Sequence, residues 1–203
     1  MHHYIHAWAL AVPLSLMTTA LPAQVIIEES PGYTNYSTAG NLRPTQNPGC
    51  ILMADAGQAL TPADLALGIQ ECFAAQDMDT AAGMIILLLA RTAYDRRRVS
   101  GRTAHQAGAM LLQTLGSALS EPEQLALRTA LASVASYGSP GHLLVCETLN
   151  TLGYPDYYPA YMIQHGMNAF SNPEAVGLVE DFDPDAAWDW ALTSFMHCPS
   201  DQE

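Results

Sequence analysis

Met84 to Ala90 reads Met-Ile-Ile-Leu-Leu-Leu-Ala, an unbroken apolar run inside a longer helix-prone stretch, residues 78–94. Wound at about 100° per residue, these side chains point in every direction, so no face is left for water. Such a helix has to be jacketed by others. It is too short to cross a bilayer, which takes about 20 apolar residues, because Arg91 ends the run. A chain of 203 residues can supply the jacket within one domain of ordinary size.

The amino end reads differently. Residues 7–17 form an apolar run of signal-peptide length, followed by small residues ending at Ala23, and cleavage after Ala20 or Ala23 would suit. His2, His3 and His6 stand where Lys or Arg is usual. No cysteine follows the run directly, which argues against a lipid anchor. We therefore expect a signal peptide over residues 1–23, an exported, periplasmic mature protein, and no membrane span in that mature form.

Export bears on the cysteines. Cys50, Cys72, Cys146 and Cys198 all lie in the mature part, and an even count in an oxidising compartment favours two disulfides, with three connectivities open. We favour Cys50–Cys72 and Cys146–Cys198, each closing a moderate loop and tying an irregular segment to a helix. The spacing has no C-x-x-C or paired Cys/His pattern, so no metal site is expected.

Twenty acidic residues face seven arginines, and lysine is absent. Such a field repels nucleic acid and anionic membrane and favours basic partners, while also keeping a protein soluble.

Residues 24–60 are rich in Gly, Pro, Asn, Ser and Thr, with a short β-prone run at Val25 to Ile27, and read as an extended arm tethered at Cys50. The helical domain, residues 61–203, begins at Thr61-Pro62-Ala63-Asp64, a cap followed by proline and an acid. Asp77 or Asp79 caps the central helix, Thr103 opens a third, and Ser120-Glu-Pro-Glu123 is a capping box. Ser139-Pro140 and Asp183-Pro184 open two more, with a further helix from Asp156 to about Phe170 between them. The expected fold class is all-α: an irregular bundle of about seven helices in antiparallel pairs, with an extended N-terminal arm. The first pair has the length of one tetratricopeptide or Sel1 repeat, but no second copy follows in register.

Candidate chemistry is sparse. His105, His142, His165 and His197 are spread over four helices, without H-E-x-x-H, G-x-S-x-G or a glycine-rich phosphate loop. An EF-hand starting at Asp181 would need Gly and Glu where Ala186 and Leu192 stand. No catalytic residue and no cofactor is expected. Arg96, Arg97 and Arg98 could bind an anion, or complement the dipole of the central helix and pair with nearby acids.

Contact surfaces are better marked. Trp188, Ala191, Leu192 and Phe195 share one face of the last helix, which puts Trp190 and His197 almost opposite. With Asp189, Asp181, Asp183 and Asp185 they form an acidic aromatic edge suited to a basic protein partner. Tyr158, Tyr161 and His165 lie opposite the core stripe of the preceding helix, as further partner-binding candidates or as side chains under a second layer.

Glu71-Cys-Phe-Ala-Ala-Gln-Asp-Met-Asp-Thr-Ala-Ala, Tyr94-Asp-Arg-Arg-Arg-Val and Thr103-Ala-His-Gln-Ala resemble segments of uncharacterised exported helical proteins of Gram-negative bacteria. They also look like parts of the periplasmic immunity proteins that accompany type VI secretion effectors. The resemblance implies stoichiometric inhibition of a toxin, such as a cell-wall amidase or a lipase, by occlusion of its cleft. Two other classes stay open: a Sel1/TPR-like scaffold for envelope complexes, which would show a second copy of the first hairpin, and a secreted hydrolase, in which histidines would converge with acids.

Overall fold

The computed structural model describes residues 25–30, 33–171 and 177–200. The expected signal peptide, residues 1–23, lies outside them. Helix α1 (Pro62–Ala74) starts at a reciprocal capping box: Thr61 accepts from the Asp64 backbone, and Asp64 accepts from the Thr61 backbone. Gln76 then takes a φ of +59°, which turns the chain sharply into α2 (Met78–Arg98), capped by Asp77 on the Thr80 N–H. Helices α3 (Ala107–Ser117), α4 (Glu121–Ala135) and α5 (Pro140–Leu152) follow, each of the last two with proline in its first turn.

Helix α2 is the hub. It touches α1, α3, α4 and α5, and also the carboxy-terminal helix α8 (Pro184–Trp190). Met84, Leu87, Leu88 and Ala90 are wholly buried, as the apolar run demands. Burying each large side chain contributes about 1.5–3 kcal/mol. In a solenoid each repeat touches only its neighbours. One helix contacting nearly all the others is instead a bundle with a central rod, and the described residues are all-α apart from one hairpin. No helix among them is long and apolar enough to cross a membrane.

Three details differ from the sequence reading. The arm opens as a hairpin, β1 (Val25–Ser30) with β2 (Tyr33–Thr38), paired antiparallel from Val25↔Thr38 to Ser30↔Tyr33. The Tyr and Thr residues of β2 are strand formers and Pro31-Gly32 is a turn signal. The third helix does not open at Thr103, because a 3₁₀ turn over Ala104–Gln106 precedes α3. The continuous helix expected from Asp156 is two short ones, α6 (Ala160–Ile163) and α7 (Asn168–Ser171). Pro155 and Pro159 delay its start, and the Asp156 N–H goes to the Gln58 carbonyl instead (3.3 Å). At Gly166, between α6 and α7, a Cβ would lie 2.9 Å from that of Ala104, so the chain packs closely on the 3₁₀ turn there.

The arm is fastened along its length. Leu42 N–H donates to the Tyr161 carbonyl (3.1 Å), and the Thr38 hydroxyl donates to that of Gln164 (2.6 Å). Further on, the buried Asp64 carboxylate accepts from the Gln46 N–H (2.9 Å) while holding its own helix cap, and Cys50 is bonded to Cys72. Gly68 marks the closest approach: a Cβ there would lie 2.5 Å from the Gly49 carbonyl and 2.7 Å from Met84. The second disulfide, Cys146–Cys198, ties the end of the described chain to α5. Both pairings are those favoured from the sequence.

Candidate functional site

The carboxy-terminal turns of α2 divide the arginines between two jobs. Arg91 is fully buried and donates to the Leu60 and Gly57 carbonyls, fixing the end of the arm. Burial lowers its pKa from the usual guanidinium range. One turn on, the equally buried Asp95 meets Arg98, whose Nη2 is 2.7 Å away and whose Nε donates at 2.8 Å. The hydroxyls of Tyr157 and Tyr161 donate to the other carboxylate oxygen at 2.9 and 2.7 Å. The Arg98 guanidinium lies 4.9 Å from the ring centres of both Tyr94 and Tyr157.

Burial raises the Asp95 pKa, against the pull of Arg98 and the two tyrosines, and also pushes both tyrosines well above their ordinary range. A buried charge is tolerable only when paired and hydrogen-bonded, and this one is both.

Because α2 turns Asp95 and Arg98 inward, Arg96 and Arg97 face outward. Arg97 is laid over the Trp190 ring, 4.9 Å from its centre, and Trp190 stacks in turn on Phe195. Opposite runs the segment that enters α8. An isolated antiparallel bridge, Val99↔Leu178, pins it, together with bonds from Val179 N–H to the Arg98 carbonyl (2.8 Å) and from Ser100 N–H to that of Gly177 (2.9 Å). Asp181 sits at a φ of +53°, a left-handed conformation that Asp tolerates better than most residues. Asp183 caps α8 by accepting from the Ala186 N–H (3.0 Å).

Between these walls lies a groove of about 290 Å³. Arg96, Arg97, Asp181 and Asp183 line it, over Val179, Phe182 and two alanines. Among the described residues the only carboxylate–guanidinium ion pair is Asp95–Arg98. The four charged groups of the groove thus share one cavity without pairing across it.

The expected partner surface is therefore split. Asp181 and Asp183 line the groove and Trp190 adjoins it under Arg97, with exposed Asp185 and Asp189 on the same helix as Trp190. His197 is elsewhere, at a φ of +58° and edge-on to Tyr137. After α8 the chain widens into a π turn, Ala191–Phe195, in which the Met196 N–H reaches back to the Ala191 carbonyl (3.0 Å). That extra residue breaks the helical phase which would have placed Trp190 and His197 together. Tyr161 is not a surface residue at all, since its hydroxyl is spent on Asp95. His165 Nδ1–H donates to Asn41 Oδ1 of the arm (2.9 Å), while Tyr158 is exposed. Of the three suggested anion binders, Arg98 is consumed internally and Arg96 and Arg97 remain.

His142 and His197 flank Tyr137, with ring centres 5.7 and 6.3 Å from it, while His105 and His165 have other partners. His105 bonds the Val99 carbonyl (2.8 Å), and buried His142 bonds the Met196 carbonyl through Nε2 (2.9 Å), with Nδ1 toward the Gly138 N–H (3.4 Å). That geometry sets the His142 tautomer with its proton on Nε2. His142, Cys146 and Cys198 are close enough to suggest a metal, but both sulfurs are joined in a disulfide and hold no thiolate for an ion.

A second surface has no counterpart in the sequence reading. Leu125, Tyr137, Leu143 and Leu144 are exposed on α4, α5 and the turn between them. Leu52 and Leu144 line a largely apolar groove of about 270 Å³ with Met53, Gly83 and Val134. The signal was available: Leu143-Leu144-Val145-Cys146 is too continuous for one helix face. Comparison of the chain with protein-family models, with curated proteins and with solved structures returned no match.

Proposed function

We propose that this is an exported binding protein which caps a secreted antibacterial toxin, of the cell-wall amidase or lipase class, in the periplasm. The observation that supports this reading is the groove at the end of α2. A half-buried tryptophan lies under an arginine there, beside unpaired acids, on walls held by a buried ion pair and by backbone bonds. Preformed aromatic and arginine side chains are what anchor interfaces, because little entropy is lost when they dock. Two disulfides suit an oxidising compartment, and the resemblance to immunity proteins supplies the partner class. The mechanism is occlusion: Trp190 enters the partner's cleft while Asp181 and Asp183 meet basic groups at its rim.

The test is co-expression in the periplasm with secreted cell-wall amidase and lipase toxins, drawn first from any that neighbouring genes encode. Protection of the cell and a stoichiometric complex on gel filtration are expected, with Trp190→Ala weakening the complex by about 2 kcal/mol or more. A purified protein that forms no complex and gives no protection would end this reading.

A further inference from the structure

The groove lined by Arg96, Arg97, Asp181 and Asp183 has a chemistry that a protein partner does not exhaust. Surface arginines and aspartates that face each other usually meet, since at about 4 Å even a solvated pair gains some energy. Here they do not, although Arg97 is steadied by Trp190, Asp183 by its capping bond and the segment between them by its bonds to residues 98–100. The groove thus carries two guanidinium groups and two carboxylates with no ion pair between them, beside apolar side chains that include Val179 and Phe182. A ligand satisfies both charges at once only if it carries a carboxylate and an ammonium a short distance apart, with an apolar group to cover those side chains.

We propose that this groove is a binding site for amino-acid zwitterions: a carboxylate received by Arg96 and Arg97, an ammonium received by Asp181 and the free oxygen of Asp183, and an apolar side chain on Phe182. Guanidinium groups suit the carboxylate because they can bind it in a bidentate way. The cavity, about 290 Å³, is at the small end of ligand sites and matches a free amino acid or a dipeptide. This inference uses the same groove as the toxin-inhibitor reading but does not rest on it, because it requires no protein partner.

Ligand-detected NMR on the full chain tests it, with L-leucine and glycyl-L-leucine as probes and with N-acetyl-L-leucine and L-leucinamide as versions lacking one charge. Leucine or the dipeptide is expected to bind, the stronger of the two identifying the source, and each capped form to bind about tenfold more weakly. Arg96→Gln should erase the discrimination against leucinamide, and Asp181→Asn the discrimination against the acetylated form. Both variants should keep the wild-type circular dichroism, since Arg96 has no internal partner and Asn tolerates the Asp181 conformation. Absence of binding by both probes at about 10 mM overturns the inference. So does equal binding of the capped forms, or discrimination that survives both substitutions. None of these outcomes bears on toxin capture, which is measured with the toxins and without amino acids.

Discussion

The two halves of helix α2 both bury side chains but hold them by opposite means. From Ala81 to Ala90 the helix is surrounded by apolar side chains, and dispersion and desolvation do the work. From Arg91 to Arg98 it buries charge: Arg91 on two carbonyls, Asp95 on Arg98 and two tyrosine hydroxyls. An apolar contact can be lost one methylene at a time. A buried ion cannot, because removing one partner strands the other. The polar half also gains directionality, since turning Asp95 and Arg98 inward is what presents Arg96 and Arg97 to the groove.

The sharpest contrast should come from Asp95→Ala, which leaves Arg98 and two tyrosines without their acceptor and is expected to cost about 3–5 kcal/mol in urea unfolding. The apolar half should be more forgiving at any single site: Leu88→Ala costs about 2–4 kcal/mol, according to how far the cavity collapses. A larger loss for Leu88→Ala than for Asp95→Ala would reverse the comparison. Next come the disulfides, which act on the unfolded chain. The separations of 52 and 22 residues give losses of about 4 and about 3 kcal/mol for Cys146→Ser/Cys198→Ser and Cys50→Ser/Cys72→Ser, so the first pair should melt lower. Tyr161→Phe removes one of the donors to Asp95 and should cost about 1–2 kcal/mol.

The smallest effect is a dependence on pH. Burial lowers the His165 pKa from its ordinary 6.5, so the unfolded chain takes up a proton before the folded one does. Stability from this site is complete above pH 6.5 and declines as pH falls toward the lowered folded value. Because His165 is bonded to Asn41, amide protection in the arm, taken relative to the intrinsic exchange rate at each pH, should fall on acidification through that window, and His165→Gln should flatten the response.

The sequence made the apolar half of α2 legible and left the polar half obscure, for a physical reason. Helical periodicity reports where apolar groups recur, so Met84 to Ala90, the capping boxes at Thr61 and Ser120 and the Asp183 cap could be read directly. Burial of Arg91, Asp95 and Arg98 depends on partners about 30 to 66 residues away, and no local pattern announces it. Tyr161 shows the consequence: the residue-level reading placed it among candidate contact residues, while its hydroxyl is committed to a distant carboxylate. His197 failed differently, because a π turn changes the angular step on which the helical wheel relies. Trp190, Asp181 and Asp183 were found as contact candidates, but their meeting with Arg96 and Arg97 required the pinned segment at Leu178.

Urea unfolding of one further variant, set beside Asp95→Ala, decides whether buried charge and not shape governs this end of the helix. In it Asp95→Leu, Arg98→Met, Tyr157→Phe and Tyr161→Phe are combined, so that no polar group is stranded. It should recover most of the stability lost in Asp95→Ala, coming within about 1–2 kcal/mol of the wild type. A combined variant as unstable as Asp95→Ala would show that packing, and not the unpaired ion, carries the loss.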